Sequence, residues 1–432
     1  MMKDELLGIL NEWNFWNQKR DVGIKRPFYL EKMKDFSQTG QVVVLSGARR
    51  SGKSTLMLQY TADLIAGGLD AKNTLYINFE DSRFSGELTL ALLQQIYDVY
   101  RAELAPDTPN IFIDEIQLIP GWERFVRAIH ERKEATLFVS GSNAQMLSDE
   151  FGASLTGRHL MIEVFPLDFS EFLAFHDIYL KNNLEIVSKK GIIQKFFEEY
   201  LLFGGFPKVV LSQEKQEILR QYFDDVLARD IVGRYHVRNT VTLKALAQYY
   251  ETNISSLMTY SSVRKFLKTP LATVQRFSGY YTYAYLIFFV KKFAYSLKEQ
   301  EVNPRKVYSI DTGLRNAVSG GMIPDKGKLY ENCVYLELLR KHGNNVFYWS
   351  DKVECDFVVK ESDGMHAYQV VYAMSHASTR EREFAGLASA LKSFDLKEGV
   401  IVTGEEEGLE EYDGKIIHLV PLWKWLLGFP VS

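Results

Sequence analysis

The sequence predicts an α/β protein whose first 165 residues form a parallel sheet layered with helices. Three observations predict it. QVVVLSG (41–47) is a β-branched run that stops at a glycine. TLYINFED (74–81), PNIFIDEIQ (109–117) and ATLFVSGSN (135–143) are further short apolar runs, as strands buried on both faces require. Helical spacing separates them, most clearly in KSTLMLQYTADLIAGG (53–68), and strands that alternate with helices pair in parallel.

The remaining elements follow in order. Residues 1–35 read as a helical lead-in. From 165 to 230 the pattern is helical and amphipathic, broken by FGGFP (203–207), where Gly and Pro interrupt any helix. Residues 235–310 read as helical and then strand-like. Residues 328–425 return to mixed α/β, opening with the helix KLYENCVYLELLRKHG and continuing into the hairpin VECDFVVKESDGMHAYQVVY (353–372).

A chain of 432 residues has room for two or three domains, each with its own core. Its composition is 46% hydrophobic and 25% charged with a formal charge of -4, so no partner is advertised by the whole-chain balance. Two cysteines, Cys333 and Cys355, imply no disulfide framework and point to a reducing, cytoplasmic setting. The N-terminal MMKDELLGILNEWNFW carries charges within its apolar stretch, unlike a signal peptide. The longest apolar run, YYTYAYLIFFV, is too short to span a bilayer, so no membrane partner is expected.

GARRSGKS (47–54) fits the pattern G-x-x-x-x-G-K-[ST] between a buried strand and a helix. Gly47 and Gly52 allow the backbone to curl so that successive N–H groups of Ala48, Arg49, Arg50 and Ser51 face a phosphate. The following helix N-terminus, with Thr55 in its first turn, adds partial positive charge. Lys53 is placed for the β- and γ-phosphates and the Ser54 hydroxyl for Mg²⁺, which predicts a P-loop NTPase fold with ATP and Mg²⁺ as cofactors. In IFIDE (111–115), Asp114 would hold the metal and Glu115 would orient or deprotonate the attacking water. Ser142 and Asn143, after the next strand, suit either a contact to the γ-phosphate or an ordinary turn. Arg158 in SLTGRHL is a candidate arginine finger, a role a neighbouring subunit often fills, or a solvated surface residue.

Together SGARRSGKST, IFIDEIQLIPGWE, FVSGSN, LTGRHLMIEVFPLDFSEFL and LFGGFP resemble an AAA-type ATPase group widespread in bacteria and archaea. The resemblance covers nearly the whole chain and implies four segments. These are an AAA-type core (1–165), a helical lid (166–232), a winged-helix segment (233–315) and a C-terminal restriction-endonuclease-like domain (320–432). It also likens Gly205 and Pro207 to the Gly-x-Pro element of signal-transducing NTPases, in which the proline packs on the adenine.

The middle segment supports a nucleic-acid reading on its own residues. SSVRKFLK, the turn Thr269-Pro270 and LATVQRFSGYY form a plausible helix-turn-helix that offers Thr273, Gln275 and Arg276 to a groove. Residues 229–306 hold thirteen Lys or Arg against four Asp or Glu, which suits the backbone of double-stranded DNA. A basic face also suits packing or a protein partner. The C-terminal resemblance, to the PD-(D/E)xK nuclease fold, implies Glu331 as the helix glutamate and Asp356 as the strand aspartate. Gln369 and Val371 stand in the Glu and Lys positions. Gln369 retains one carbonyl oxygen for a metal, whereas Val371 offers neither ligand nor charge. A degenerate site is expected, although Lys352 or Lys360 could in principle reach in where the lysine is lost. Three functions follow: a DNA-associated ATPase, an ATP-dependent signalling switch acting on a protein, and an ATP-gated nuclease. An oligomer is compatible with each.

Overall fold

The computed structural model describes residues 1–142, 157–319, 325–362 and 364–428, which divide into two compact units, Met1–Val164 and Phe165–Ser432. In the first unit, strands β1 (Val42–Gly47), β2 (Thr74–Asn78), β3 (Asn110–Asp114), β4 (Thr136–Gly141) and β5 (His159–Val164) form one sheet in the order β2-β3-β4-β1-β5. Every pairing in it is parallel, as the alternating pattern predicts. β5, in HLMIEV, is the strand the sequence pattern did not single out, since only two of its six residues are fully buried.

The two-face burial explains why the strands read as unbroken apolar runs. Val42 and Val44 join one core with Ile111, Ile113, Leu137 and Val139, while Val43 and Leu45 join the other with Phe112, Phe138 and Ile162. Phe112 and Phe138 stack at 4.5 Å between centroids. The N-terminal lead-in has a specific task. Its helix Lys3–Trp13 ends at Asn14, whose side-chain oxygen accepts from the Tyr76 N–H at 2.7 Å and whose amide donates to the Tyr76 carbonyl at 2.9 Å. Trp16 donates to the Thr74 carbonyl at 2.8 Å. These side chains satisfy the outer edge of β2, where an exposed edge strand would otherwise invite pairing.

The second unit opens with helices, among them Asn183–Phe203, Pro207–Val210 and Lys215–Asp225, the last running into a π-helical stretch Val226–Gly233. Next come helices Thr240–Thr252, Tyr260–Leu267 and Leu271–Tyr283 with strands β6 (Leu257–Met258), β7 (Ile287–Lys291) and β8 (Arg305–Ser309). These strands form an antiparallel sheet in the order β6-β8-β7. Helix Lys326–His342 then leads into a six-stranded mixed sheet, β13-β14-β12-β11-β10-β9. Its strands are β9 (Val346–Ser350), β10 (Glu354–Lys360), β11 (Met365–Val370), β12 (Glu398–Thr403), β13 (Gly408–Tyr412) and β14 (Lys415–Pro421). The hairpin seen in the sequence is β10–β11, with Phe357 opposite Tyr368 and Val359 opposite His366. Helix Ala377–Ser393 covers it, placing Phe384, Leu387 and Leu391 against Cys355, Val358 and Ile401.

Glu251, at the end of helix Thr240–Thr252, is completely buried, and burial pushes its carboxyl from 4.5 up to about 8 against the partial pull of Ser309 and Arg315. An acid with a raised folded pKa holds its proton more tightly in the folded state, so its contribution is full below the unfolded value and fades as pH rises through the folded one. Thermal melts of the full chain should therefore lose stability between about pH 5 and about pH 8, and Glu251→Gln should flatten that slope. A variant with an unchanged slope would remove Glu251 as the cause.

Candidate functional site

The loop between β1 and helix Lys53–Ala66 is shaped by one close approach. Gly47 has φ +145°, and a Cβ there would lie 2.1 Å from the Val164 carbonyl oxygen of β5, so only glycine lets the chain turn out of the sheet. Ala48 and Ser51 are buried, Arg49 pairs with Glu80 at 2.9 Å, and Ser54 and Thr55 lie exposed on the first helical turn. The Ser51 N–H donates back to the Ala48 carbonyl at 3.2 Å, and Gly52, with φ +103°, caps the helix. Lys53 is 5% exposed, and its ammonium donates to the carbonyls of Gly47 and Ala48 at 3.0 Å each. Arg26 braces the loop from the lead-in, donating to the Ser51 carbonyl at 2.8 Å and lying over the Tyr29 ring.

Asp114 ends β3 at the same end of the sheet, almost wholly buried. Its carboxylate accepts from the Tyr76 hydroxyl at 2.8 Å and from the Ser140 hydroxyl of β4. Burial, then Asp114 beside it, holds the Tyr76 phenol well above the usual tyrosine range. Glu115 adopts a left-handed conformation (φ +53°), its N–H donating to Ser140 at 3.1 Å and its carboxylate accepting from Gln117. Burial raises its pKa while Lys53 pulls it down. Tyr76, Ser140 and Arg26 carry no motif of their own and were missed. Only their positions on adjacent strands and on the lead-in signal them.

Ser142 is buried after β4, and Asn143 lies outside the described residues. Arg158 precedes β5 at the opposite end of the sheet. Its carbonyl accepts from Val42 at 3.0 Å and its guanidinium pairs with Glu131 at 3.1 Å. Val42 is five residues from Gly47 along β1, roughly 17 Å at strand rise. Arg158 therefore does not reach its own loop, and a finger role is left only toward a neighbouring copy. Pro207 belongs to the second unit, where it is the first residue of helix Pro207–Val210. The glycine before it has a local reason: a Cβ on Gly205 would fall 2.2 Å from the Leu167 carbonyl, and its N–H donates to buried Asp311 at 2.7 Å.

A second polar site lies wholly within the second unit, in a cleft of about 690 Å³ walled by Glu331, Lys352, Glu354, Asp356, Gln369, Val371, Arg382 and Glu383. Glu331 and Asp356 do come together, and what joins them is Lys306 of β8. Its ammonium donates to Asp356 Oδ1 at 2.7 Å and to Glu331 Oε1 at 3.0 Å, and pairs with Glu354 Oε1 at 2.8 Å. The register of β10 against β9 shifts between Cys355 and Val358, a local irregularity around Asp356 of the kind that re-aims side chains.

Two expectations are corrected here. The carbonyl oxygen of Gln369 does not stand open in the cleft: it accepts from the Asp356 N–H of the neighbouring strand at 3.0 Å, while its amide donates to Glu383 of helix Ala377–Ser393 at 2.5 Å. The lysine at the carboxylates is Lys306, whereas Lys352 lines the cleft wall and Lys360 is exposed at the far end of β10. Lys306 was counted among the basic residues of the middle segment, and it is 2% exposed.

Comparison with known proteins places these sites in context. Residues 39–173 match the AAA domain, and residues 194–322 and 326–425 match two domains of unknown function, DUF8612 and DUF4143. The chain is 32% identical over 408 residues to the uncharacterized protein MJ1544 of Methanocaldococcus jannaschii, covering 90% of this chain and 89% of that one. The chain belongs to the same family as MJ1544. An uncharacterized protein of Haemophilus influenzae is 30% identical over 414 residues, covering 94% of this chain and 98% of that one. This chain thus carries an AAA domain followed by two domains of unknown function. Among solved structures, the Walker-type ATPase PABY2304 of Pyrococcus abyssi aligns at TM-score 0.42 and 14% identity over 68% of this chain and 95% of that one. AMPPCP-bound DnaA from Aquifex aeolicus aligns at TM-score 0.29 and 14% identity over 61% and 87%. Neither likeness extends what the site itself shows.

Gly47→Ala should disrupt the loop, because neither the Val164 carbonyl nor a positive φ tolerates a Cβ there. Nucleotide-induced stabilisation in a thermal melt should be lost in this variant. Full retention would show that the β1–β5 approach does not shape the site.

Proposed function

We propose that the protein is a Mg²⁺-dependent ATPase whose turnover is coupled to duplex DNA through its middle segment. The observation that carries the ATPase reading is the convergence of the Gly47–Ser54 loop, Lys53, Asp114 and Glu115 at one end of a parallel sheet in an AAA domain. The donor set fits Mg²⁺, which takes one or two carboxylates together with substrate phosphates and water. Asp114 and Ser54 would hold the ion, which when bound neutralises the developing phosphate charge. Loop N–H groups would cradle the phosphates, and Lys53 would leave its carbonyl partners for the β- and γ-phosphates. Glu115, raised by burial, is suited to take or orient the proton of the attacking water. Pro207 and Arg158 keep roles toward adenine and toward a neighbouring copy only as further proposals.

Support for DNA comes from the arrangement of residues 240–309, which has the order of elements of a winged helix. On its second and third helices, Arg264, Lys265, Lys268, Gln275 and Arg276 are exposed, with Thr273 half-buried. The excess charge is smaller at the surface than in the sequence, since Lys306 is buried and Lys291 and Arg305 pair with Glu301. The exposed helix face still matches a phosphate backbone better than an acidic or apolar one would. The C-terminal domain is read as a nuclease-like scaffold without phosphodiesterase activity. Gln369 in the position of the second carboxylate, with its carbonyl oxygen accepting from the Asp356 N–H, supports this.

Lys53→Ala should abolish ATP-dependent stabilisation, while Glu115→Gln should bind ATP and lose turnover by roughly a hundredfold or more. Normal hydrolysis in both variants would remove the site assignment. Duplex DNA should stimulate turnover of the wild type, with stimulation lost at raised salt and weakened in Arg276→Ala. Turnover indifferent to DNA would favour a switch that acts on a protein. Plasmid cleavage by wild type but not by Asp356→Ala, with Mg²⁺ or Mn²⁺, would overturn the scaffold reading.

A further inference from the structure

The ammonium of Lys306 is surrounded in a way that an ordinary salt bridge does not require. It has three hydrogens, and three carboxylates stand within 3.0 Å of it: Asp356 at 2.7 Å, Glu354 at 2.8 Å and Glu331 at 3.0 Å. Burial alone would strip its proton, but Asp356, Glu331 and Glu354 outweigh that and hold it well above the usual lysine range. The side chain comes from outside the hairpin, from a strand fifty residues before Asp356 in the chain. Two residues along the same strand, on the same face, the Tyr308 hydroxyl donates to Glu331 at 2.7 Å. Strand β8 therefore presents a matched pair, one cation and one neutral donor, to a carboxylate set on helix Lys326–His342 and β10.

We propose that Lys306 is the resident cation of this cleft: it occupies the Glu331, Glu354 and Asp356 carboxylates and excludes divalent metal, leaving a latent metal site beneath it. A hard cation among these oxygens would lie within about 4 Å of the ammonium, and the two charges would repel at that range. The residual negative charge is met in other ways. Glu354 is partly open to solvent, and Lys352 and Arg382 stand on the cleft wall. The inference depends on this geometry and on no part of the ATPase reading.

The test is a Mn²⁺ titration of the nucleotide-free full chain near neutral pH, with free Mn²⁺ read by electron paramagnetic resonance. Wild type should bind none at this site. Lys306→Met should bind one equivalent, about a hundredfold or more tighter, as expected from removing a positive charge at ~4 Å in a partly buried site. Adding Asp356→Asn to Lys306→Met should abolish that binding. If Lys306→Met does not fold, Lys306→Gln, neutral but still able to hydrogen-bond, takes its place under the same expectations. Wild-type binding that Asp356→Asn removes would overturn the proposal, and so would a folded Lys306 variant that binds no Mn²⁺. Mn²⁺ binding by wild type without plasmid cleavage would sink this inference alone and leave the scaffold reading standing.

Discussion

A parallel sheet covered on both faces leaves nowhere for a polar side chain except the strand ends, unless another polar group is paired with it. That constraint organises the first unit. β1, β3 and β4 each fill both cores with alternate residues. Their polar residues gather where the strands run out, with Gly47 leaving β1, Asp114 closing β3 and Ser140 near the end of β4. Tyr76 satisfies the rule differently, burying its ring in one core while its hydroxyl reaches Asp114. The site is the polar rim that such a sheet must have, with a loop of backbone N–H donors set beside it.

The second unit meets the same cost of burying charge by pairing. Lys306 and its three carboxylates, and Asp311 with the N–H groups of Gly205 and Leu314, each place a charge where water is scarce and satisfy it with specific partners. Removing one member of such a group leaves the others buried and unpaired, which costs about 3–5 kcal/mol in a typical buried pair. The glycines at 204 and 205 belong to this logic. They bring the backbone close enough for Asp311 to bond it, which accounts for the FGGFP sequence within the second unit itself.

Local readings succeeded where the chemistry is local. The P-loop, the apolar strands, the β10–β11 hairpin and the helix carrying Glu331 are contiguous patterns, and each appears where its residues predict it. β5 was not legible because its lower burial leaves only a weak apolar run. Arg158 illustrates the other limit. Its distance along the chain from Lys53 says nothing about which end of the sheet it occupies, and the parallel register of β1 with β5 sets that end.

The amino-acid order by itself determined that this chain holds an NTP-type loop on a buried parallel sheet and a hairpin that lacks the expected lysine. Those are statements about short spans, in which backbone conformation and hydrophobic period suffice. Tertiary structure alone decided that Tyr76 and Ser140 bind Asp114, that Gln369 turns to the backbone, and that Lys306 enters the carboxylate cleft. The reason is physical. A buried charge takes whichever partner packing brings within about 3 Å, and sequence separation places no limit on where that partner comes from.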